Sequence, residues 1–506
     1  MAKAQRKLGM LLSYGGNLLL VAVNIFLTPF LVSKLGNAEY GVYQMMASFA
    51  GYLVLINFGT GTVMTRYVSV YLGKKDKRGE KNFIAMCLII TAVLVLLIVG
   101  VAVVLYLFME NIYGNSLSTA ELAKAKQLFV ILAVNIVLTL LGQAYAGIIT
   151  AYEKFTVTNG YNLVKVVLKA VLIVVLFSFR ADSLVVVLVD LLLTTVYLGI
   201  CFCYSQFVLK ATPKLFKFDK KLFASAAVFS LAIMLQAIVN QVNTKVDVTI
   251  LGIMVGPESV TTYSVAMQVF SIFSSVSTAA FAIYLPKFSR LVAKGESDGD
   301  TLTREMIPPS RVQTLISGVI LFGFILCGRD FISVWMGESY TLSYYIAVII
   351  MIPMFLVYSN GIVVSVLDAM QKRLVRSVVL TLVALANVGI TILLVFLIGE
   401  IGAPVATAIT TFIGSFLIMN IYYKKVIGIK LLTLFSGIFR GIIPSLLLAF
   451  FVALPIAFFV PVGFFGLILK GGVFVLVLFI SLLLFGLTKD EKELLLKPFK
   501  KTNKEN

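Results

Sequence analysis

Long apolar stretches alternate with short polar loops along the whole chain. About 20 consecutive apolar residues make one helical crossing of a bilayer. By that measure, the pattern predicts fourteen membrane-spanning helices, numbered here as spans 1 to 14. They lie near residues 10–33, 41–61, 84–107, 127–149, 157–179, 183–205, 223–253, 259–282, 312–329, 343–365, 376–398, 403–422, 441–460 and 463–487. The predicted fold class is an all-α polytopic membrane protein of about 14 transmembrane helices, whose two termini share one side.

Composition and charge agree with this pattern. The chain is 60% hydrophobic and only 13% charged, which leaves too little polar surface to coat a soluble protein of 506 residues. Of the 42 lysines and arginines, 32 lie at the termini or in loops that follow even-numbered spans, and five lie in the opposite loops. The positive-inside rule therefore predicts a plasma-membrane protein with both termini in the cytoplasm. The formal charge of +19 does not indicate a nucleic-acid partner, because it is confined to alternate loops.

An internal repeat organises the spans. The segment from residue 36 to residue 80 falls, without a gap, on residues 256 to 300. Each copy has a glycine turn, an apolar span with one polar face and a basic loop. The polar faces comprise Gln44, Ser48 and Gly51 in the first copy and Ser264, Gln268 and Ser271 in the second. The predicted domains are an N-terminal six-helix lobe (1–215), a C-terminal six-helix lobe (216–430) and two additional spans with a cytoplasmic tail (431–506).

The chain offers no motif for catalysis or metal binding. It contains no histidine, no phosphate-binding glycine loop and no nucleophile elbow. Its four cysteines lie in or beside apolar spans, so neither a disulfide nor a metal site is predicted. We therefore expect a protein that is not an enzyme and that has no cofactor. The basic N-terminus leads into an apolar stretch too long for a signal peptide, and we expect it to be the retained first span.

Four segments carry a resemblance to a known family. They are LGNAEYGVYQMMAS, INFGTGTVMTRYVSVYLGKKD, KVDVTILGIMVGPESVTTYSVAMQV and FISVWMGESY. In order and spacing this set resembles the bacterial O-antigen and exopolysaccharide repeat-unit flippases. Their superfamily also contains the lipid II flippases and the multidrug and toxic compound extrusion transporters. The resemblance covers roughly residues 1 to 430.

The resemblance implies two six-helix lobes in a V, a central cavity and alternating access. It also implies a cargo, an oligosaccharide linked to undecaprenyl diphosphate, and as partners the membrane lipids and the polysaccharide polymerase machinery. A cation-coupled multidrug exporter and a lipid II flippase are the alternatives within the superfamily. A lipid-glycan polymerase or ligase would need large external loops, and the outer loops here are short.

Span 5 carries the sharpest candidate site. Asn162, Lys165 and Lys169 share a helical face within about 60°, near mid-membrane. Charged residues inside spans are costly and usually functional, and lysines could hold the phosphates of a lipid diphosphate. The alternative is structural, because Asp190 of span 6 lies at the depth of Lys169 and could pair with it. Lys165 would then remain available for phosphate.

Polar stripes on spans 7 and 1 are the second candidate. Gln236, Asn240, Asn243 and Asp247 fall within about 40° on span 7. Span 1, its repeat partner, carries a similar face that includes Asn17 and Asn24. These amides could bind sugar hydroxyls, or they could form hydrogen bonds between helices.

Three further residues complete the candidate set. Arg66, which matches the arginine after the Gly-x-Gly turn of the family, could receive the diphosphate at the inner mouth or contact headgroups. Gln44 and Gln268, from the two copies of the repeat, could line the cavity or pack. Gly59 and Gly61 are expected to let span 2 bend. The basic segments 210–221 and 422–440 are predicted to lie along the inner membrane surface.

Overall fold

All regular structure that a computed structural model describes is helical, which confirms the predicted fold class. The described residues are 2–278, 281–296, 298–370, 372–488 and 491–492. A helix satisfies its backbone hydrogen bonds within one segment, as a lipid environment requires. Contacts divide the chain into two compact units, Met1–Ser264 and Val265–Asn506. The predicted lobe boundaries at residues 215 and 430 stay predictions.

The first unit contains seven long helices and the start of an eighth. They are α1 (Ala2–Gly51), α2 (Thr60–Gly73), α3 (Lys77–Tyr113), α4 (Thr119–Ala151), α5 (Phe155–Phe177), α6 (Ser183–Cys203), α7 (Lys220–Met254) and α8 (Pro257–Thr278). Predicted span 1 and about half of span 2 lie on α1, which breaks at Gly36, where φ is 78°. This break is the glycine turn that the repeat indicates.

Span 2 bends where its glycines predict. A 3-10 segment (Tyr52–Asn57) follows α1, and Phe58 and Gly59 then adopt left-handed backbone angles before α2 begins. Span 2 is therefore not one continuous helix. Beyond the bend, Gly61 and Gly147 bring α2 and α4 into close contact, since a Cβ on Gly147 would stand 2.5 Å from the carbonyl oxygen of Gly61.

The second unit contains the remaining helices. They are α9 (Leu285–Ala293), α10 (Gly299–Met336), α11 (Thr341–Ser359), α12 (Val363–Ala369), α13 (Arg373–Ile398), α14 (Gly402–Thr410), α15 (Met419–Ile427), α16 (Leu431–Phe439), α17 (Ile442–Phe459) and α18 (Phe464–Ser481). Helix α10 is central to this unit and packs against α11, α16, α17 and α18. The two additional spans, α17 and α18, are thus an integral part of its core.

In the described part of the chain, ten helical segments are long enough and apolar enough to cross a membrane. Two of these segments each include more than one predicted span: Val375–Ile427 covers spans 11 and 12, and Leu19–Gly73 covers span 2 and part of span 1. The protein is a multi-pass membrane protein, and the count of fourteen crossings stays a prediction.

The two basic surface segments differ in structure. Residues 210–219 form no helix, and Asn82 of α3 bonds to the backbone of Phe216 and Lys217. The other segment contains α16, whose Leu434 and Ile438 are fully buried. Their predicted position along the inner membrane surface stays a prediction.

Candidate functional site

A cavity of about 350 Å³ lies between α1, α5 and α6 of the first unit. It forms because α5 packs against both α1 and α6. Its lining includes two lysines, one carboxylate and three asparagines within an apolar wall: Asn24, Asn159, Asn162, Lys165, Lys169 and Asp190. Four predicted site residues, Asn24, Asn162, Lys165 and Lys169, therefore meet at one place.

Lys169 forms the predicted ion pair with Asp190. Its Nζ lies 2.6 Å from Asp190 Oδ2, and the two side chains are 28% and 19% exposed. The predicted pairing of Lys169 with Asp190 is confirmed, and a role of Lys169 in binding the cargo stays a prediction. An ion pair in this position neutralises one of the two cations, and the loss of either partner would leave an uncompensated charge.

Lys165 lies one helical turn from Lys169 but has a neutral partner. Its Nζ donates to Thr194 Oγ1 of α6 over 3.1 Å. In the described part of the chain, Lys165 forms no ion pair with a carboxylate. Among the described lining residues the cavity thus holds two cations and one anion, a net charge of +1, and Asp190 forms its ion pair with Lys169 rather than with Lys165.

Amides line the same cavity as the lysines. Asn24 comes from α1, and Asn159 and Asn162 come from successive turns of α5. Asn159 was not predicted, although its position three residues before Asn162 on the same face was a signal that could have found it. Asparagine donates and accepts hydrogen bonds, which suits neutral hydroxyls, whereas a free lysine suits an anion.

A charged cluster holds the start of α6, the helix that carries Asp190 and Thr194. Lys124 lies 2.5 Å from Asp182 and 3.4 Å from Glu39, and Glu39 accepts a hydrogen bond from the Ser183 N–H. Burial raises the pKa of Asp182, but hydrogen bonds from Lys124 and the Leu184 N–H outweigh this and hold the pKa below its ordinary value. The cluster fixes α6 against α1 and α4.

Other candidates lie elsewhere. Asp247 accepts a 2.7 Å hydrogen bond from Tyr263, and both are buried. Gln44 donates to Tyr40 on the same helix over 2.7 Å, and its role in lining a cavity stays a prediction.

Arg66 lies on α2, with its guanidinium 5.8 Å from the Tyr67 ring centre. Gln268 lies on α8, where its backbone carbonyl accepts from Ser271. Neither is among the residues that line the cavity. The side chains of Asn17, Gln236, Asn240 and Asn243 lie outside those the structure describes.

Comparison with known proteins decides the family. Residues 10–292, more than half of the chain, match the model of the family described as polysaccharide biosynthesis protein. The chain belongs to the polysaccharide biosynthesis protein family. The resemblance found in the sequence is confirmed.

Two relatives agree with this assignment. The chain is 21% identical over 511 residues to the "Uncharacterized membrane protein EpsK" of Bacillus subtilis strain 168, with 96% of each chain covered. It is 22% identical over 412 residues to a "Putative O-antigen transporter" of Shigella flexneri, covering 78% of this chain and 92% of the relative.

Solved structures show the fold. The lipid II flippase MurJ, in an inward closed conformation, matches with a TM-score of 0.72 at 16% identity, over 97% of this chain and 99% of that one. An inward-facing multidrug resistance transporter of the MATE family matches with a TM-score of 0.64 at 12% identity, over 80% and 94% of the chains. This chain and these transporters therefore share one helical fold.

Proposed function

We propose that this protein is a flippase that moves an oligosaccharide repeat unit, linked to undecaprenyl diphosphate, from the inner to the outer leaflet by alternating access. The family, the relative named as an O-antigen transporter and the flippase-type fold support a membrane transporter. The proposal that the cargo is a lipid-linked oligosaccharide rests on the chemistry of the cavity in the first unit.

The observation that carries the proposal is the pairing of an unbalanced lysine with amides. Lys165 has no carboxylate partner in the described chain, and Asn24, Asn159 and Asn162 line the same cavity. A lipid-linked oligosaccharide presents an anionic diphosphate directly beside neutral sugar hydroxyls. One end of the cargo therefore needs a cation and the other needs hydrogen-bonding groups, and this cavity offers both.

The charge of the cavity disfavours the multidrug alternative. A transporter of cationic drugs needs unpaired carboxylates, whereas the carboxylate of this cavity, Asp190, is bound to Lys169. The lipid II flippase remains the second candidate because MurJ shares the fold over 97% of the chain. Both cargoes are polyprenyl diphosphates, so only their glycans distinguish them.

The protein would work in the plasma membrane with both termini in the cytoplasm, as the placement of 32 of its 42 basic residues predicts. Its lobes would be residues 1–215 and 216–430, followed by the additional pair of spans. Its partners would be the lipid-linked oligosaccharide, the surrounding lipids and the polysaccharide polymerase machinery. No catalytic step or cofactor is required for such a movement.

The test compares the two lysines of α5 in reconstituted vesicles. Lys165→Ala should abolish flipping of the lipid-linked oligosaccharide with little loss of folded protein, and Lys165→Arg should retain part of it. Lys169→Ala should instead lower the amount of folded protein, because it leaves Asp190 unpaired.

The matched control is Lys169→Met with Asp190→Asn, which removes both charges and should restore the folded amount. Lipid II offered as a competing cargo separates the second candidate. Normal flipping by Lys165→Ala at normal abundance would contradict the assignment of this cavity.

A further inference from the structure

A second cavity in the first unit lies apart from the lysine site. It has a volume of about 420 Å³ and is bounded by α2, α3 and the start of α7. Its lining is mainly apolar and includes Val63, Ile90, Leu94, Phe223, Ala227 and Leu231. The volume lies within the range of about 300–1,000 Å³ that small-molecule sites occupy. Its lining suits a hydrocarbon rather than a sugar or a phosphate.

The depth of this cavity places it in one half of the bilayer. Val63 lies ten residues before the end of α2, Cys87 ten residues after the start of α3, and Ala227 seven residues after the start of α7. At 1.5 Å per residue these positions lie about 10–15 Å from the helix ends. A hydrocarbon core of about 30 Å gives each leaflet a similar depth. The middle of the cavity is therefore at the depth of the acyl chains of one leaflet, and its lining extends from Phe223, about 5 Å from the start of α7, to Leu94, about 25 Å from the start of α3.

Basic residues surround the near ends of the same three helices. Lys74 and Lys75 follow α2, and Lys220 begins α7. The extended segment before α7 adds Lys217, whose backbone N–H and carbonyl both bond to Asn82 at the start of α3. These four lysines are exposed at the level where a lipid headgroup would lie.

The acidic residues at this level already have partners. Asp76 caps α3 by accepting from the Gly79 N–H, and Asp219 accepts from the Leu222 N–H at the start of α7. Glu80 is 1% exposed and binds Lys77 and Tyr152. The helix ends therefore present more cations than anions to the bilayer surface.

An apolar cavity at chain depth and excess cations at headgroup depth match the two ends of one molecule. We propose that this cavity is a binding site for an anionic phospholipid of the leaflet facing the basic loops. One acyl chain fills the space between α2, α3 and α7, and the lysines hold the headgroup. The cavity adjoins Phe58 and the bend of span 2, so a bound chain would contact the point where that span changes direction.

The test is lipid binding by the full-length protein in detergent, measured by native mass spectrometry. Phosphatidylglycerol should bind with higher affinity than phosphatidylcholine of the same chains. Ala227→Phe fills the cavity and should weaken phosphatidylglycerol binding at least tenfold, and the smaller Ala227→Leu should weaken it less. Lys217→Gln and Lys220→Gln should each reduce the preference for phosphatidylglycerol about fivefold.

The chain offers a matched control. Ala133 lines an apolar cavity of about 340 Å³ between α3 and α4. The cation near this cavity, Lys126, lies over the ring of Tyr106 and is paired with Glu110. Ala133→Phe should leave phosphatidylglycerol binding unchanged.

Three results would overturn the proposal: unchanged affinity in folded Ala227→Phe and Ala227→Leu, equal binding of the two lipids, or retention of a polyprenyl phosphate instead of a phospholipid. No cargo is needed in this experiment, so its failure is separate from failure of the proposed function.

Discussion

The buried ion pair between Lys470 and Asp330 makes the most demanding stability prediction. Lys470 lies on α18 and Asp330 on α10, and their side chains are 2% and 1% exposed. Lys470 Nζ lies 3.0 Å and 2.8 Å from the two carboxylate oxygens of Asp330, and Oδ1 of Asp330 also accepts from the Gly463 N–H over 3.0 Å. The carboxylate thus ties both α18 and the turn before it to α10.

Replacement of Lys470 by methionine should cost about 3–5 kcal/mol, because it leaves a buried carboxylate without its cation. For a unit of this size that cost lowers the melting temperature by roughly 10 °C. The second change, Asp330→Asn, removes the remaining charge and keeps an oxygen for the Gly463 N–H. The double variant should therefore recover most of the lost stability, whereas Asp330→Leu in its place should recover less, since it leaves that N–H without an acceptor.

The assay is thermal unfolding in detergent, followed by size-exclusion chromatography of the protein that remains monodisperse. The wild type, both single variants and the double variant complete a thermodynamic cycle. A Lys470→Met protein as stable as the wild type, or a double variant less stable than both single variants, would refute the reasoning. Lys126→Met is the surface control, because its partner Glu110 is 70% exposed and the loss should be small.

Three further predictions concern the whole molecule. Folding lowers the pKa of Asp182, so its charge stabilises the folded state above the unfolded pKa of about 3.9. This stabilisation is lost as the pH falls through the folded pKa. Below about pH 5, the melting temperature of Asp182→Asn should therefore fall less steeply with pH than that of the wild type. A topology reporter active only outside the cell, fused after Asn506, should be inactive, and strong activity would contradict the fourteen-span arrangement with both termini in the cytoplasm. Flipping in vesicles should accelerate with a potential that is negative on the side of the basic loops, and a rate that follows only a sodium or proton gradient would contradict this.

Periodicity and rise made the α5 site predictable. A helix repeat of 3.6 residues places Asn162, Lys165 and Lys169 on one face, and the rise per residue places Asp190 level with Lys169. Neither inference depends on how the helices pack against each other. The bend of span 2 was predictable for a similar reason, because Gly59 tolerates the left-handed angles it adopts.

Contacts between distant segments were not predictable. In the sequence, Lys470 is a charged residue within predicted span 14, and Asp330 directly follows predicted span 9. Only the packing of α10 on α18 brings the two side chains together. Arg311 was counted as a loop cation, yet it is 5% exposed and donates to the carbonyls of Gly437, Arg440 and Gly486. Hydropathy cannot separate a long basic side chain that caps helix ends from one that faces solvent.

The charge of the cavity sets how strongly a potential should drive the proposed cargo. A diphosphate diester carries about two negative charges, and each is worth about 2.3 kcal/mol per 100 mV. Lys165 and Lys169 share α5, and α6 holds both through Thr194 and Asp190, so they form a fixed set with net charge +1. If the set stays in place while the head crosses, the loaded step moves about two charges and gains about 4.6 kcal/mol per 100 mV. If the set crosses with the head, the loaded step moves about one charge and gains about half as much. Since +1 cannot cancel two negative charges, a potential dependence survives in both cases, and its slope reports whether α5 and α6 move through the field.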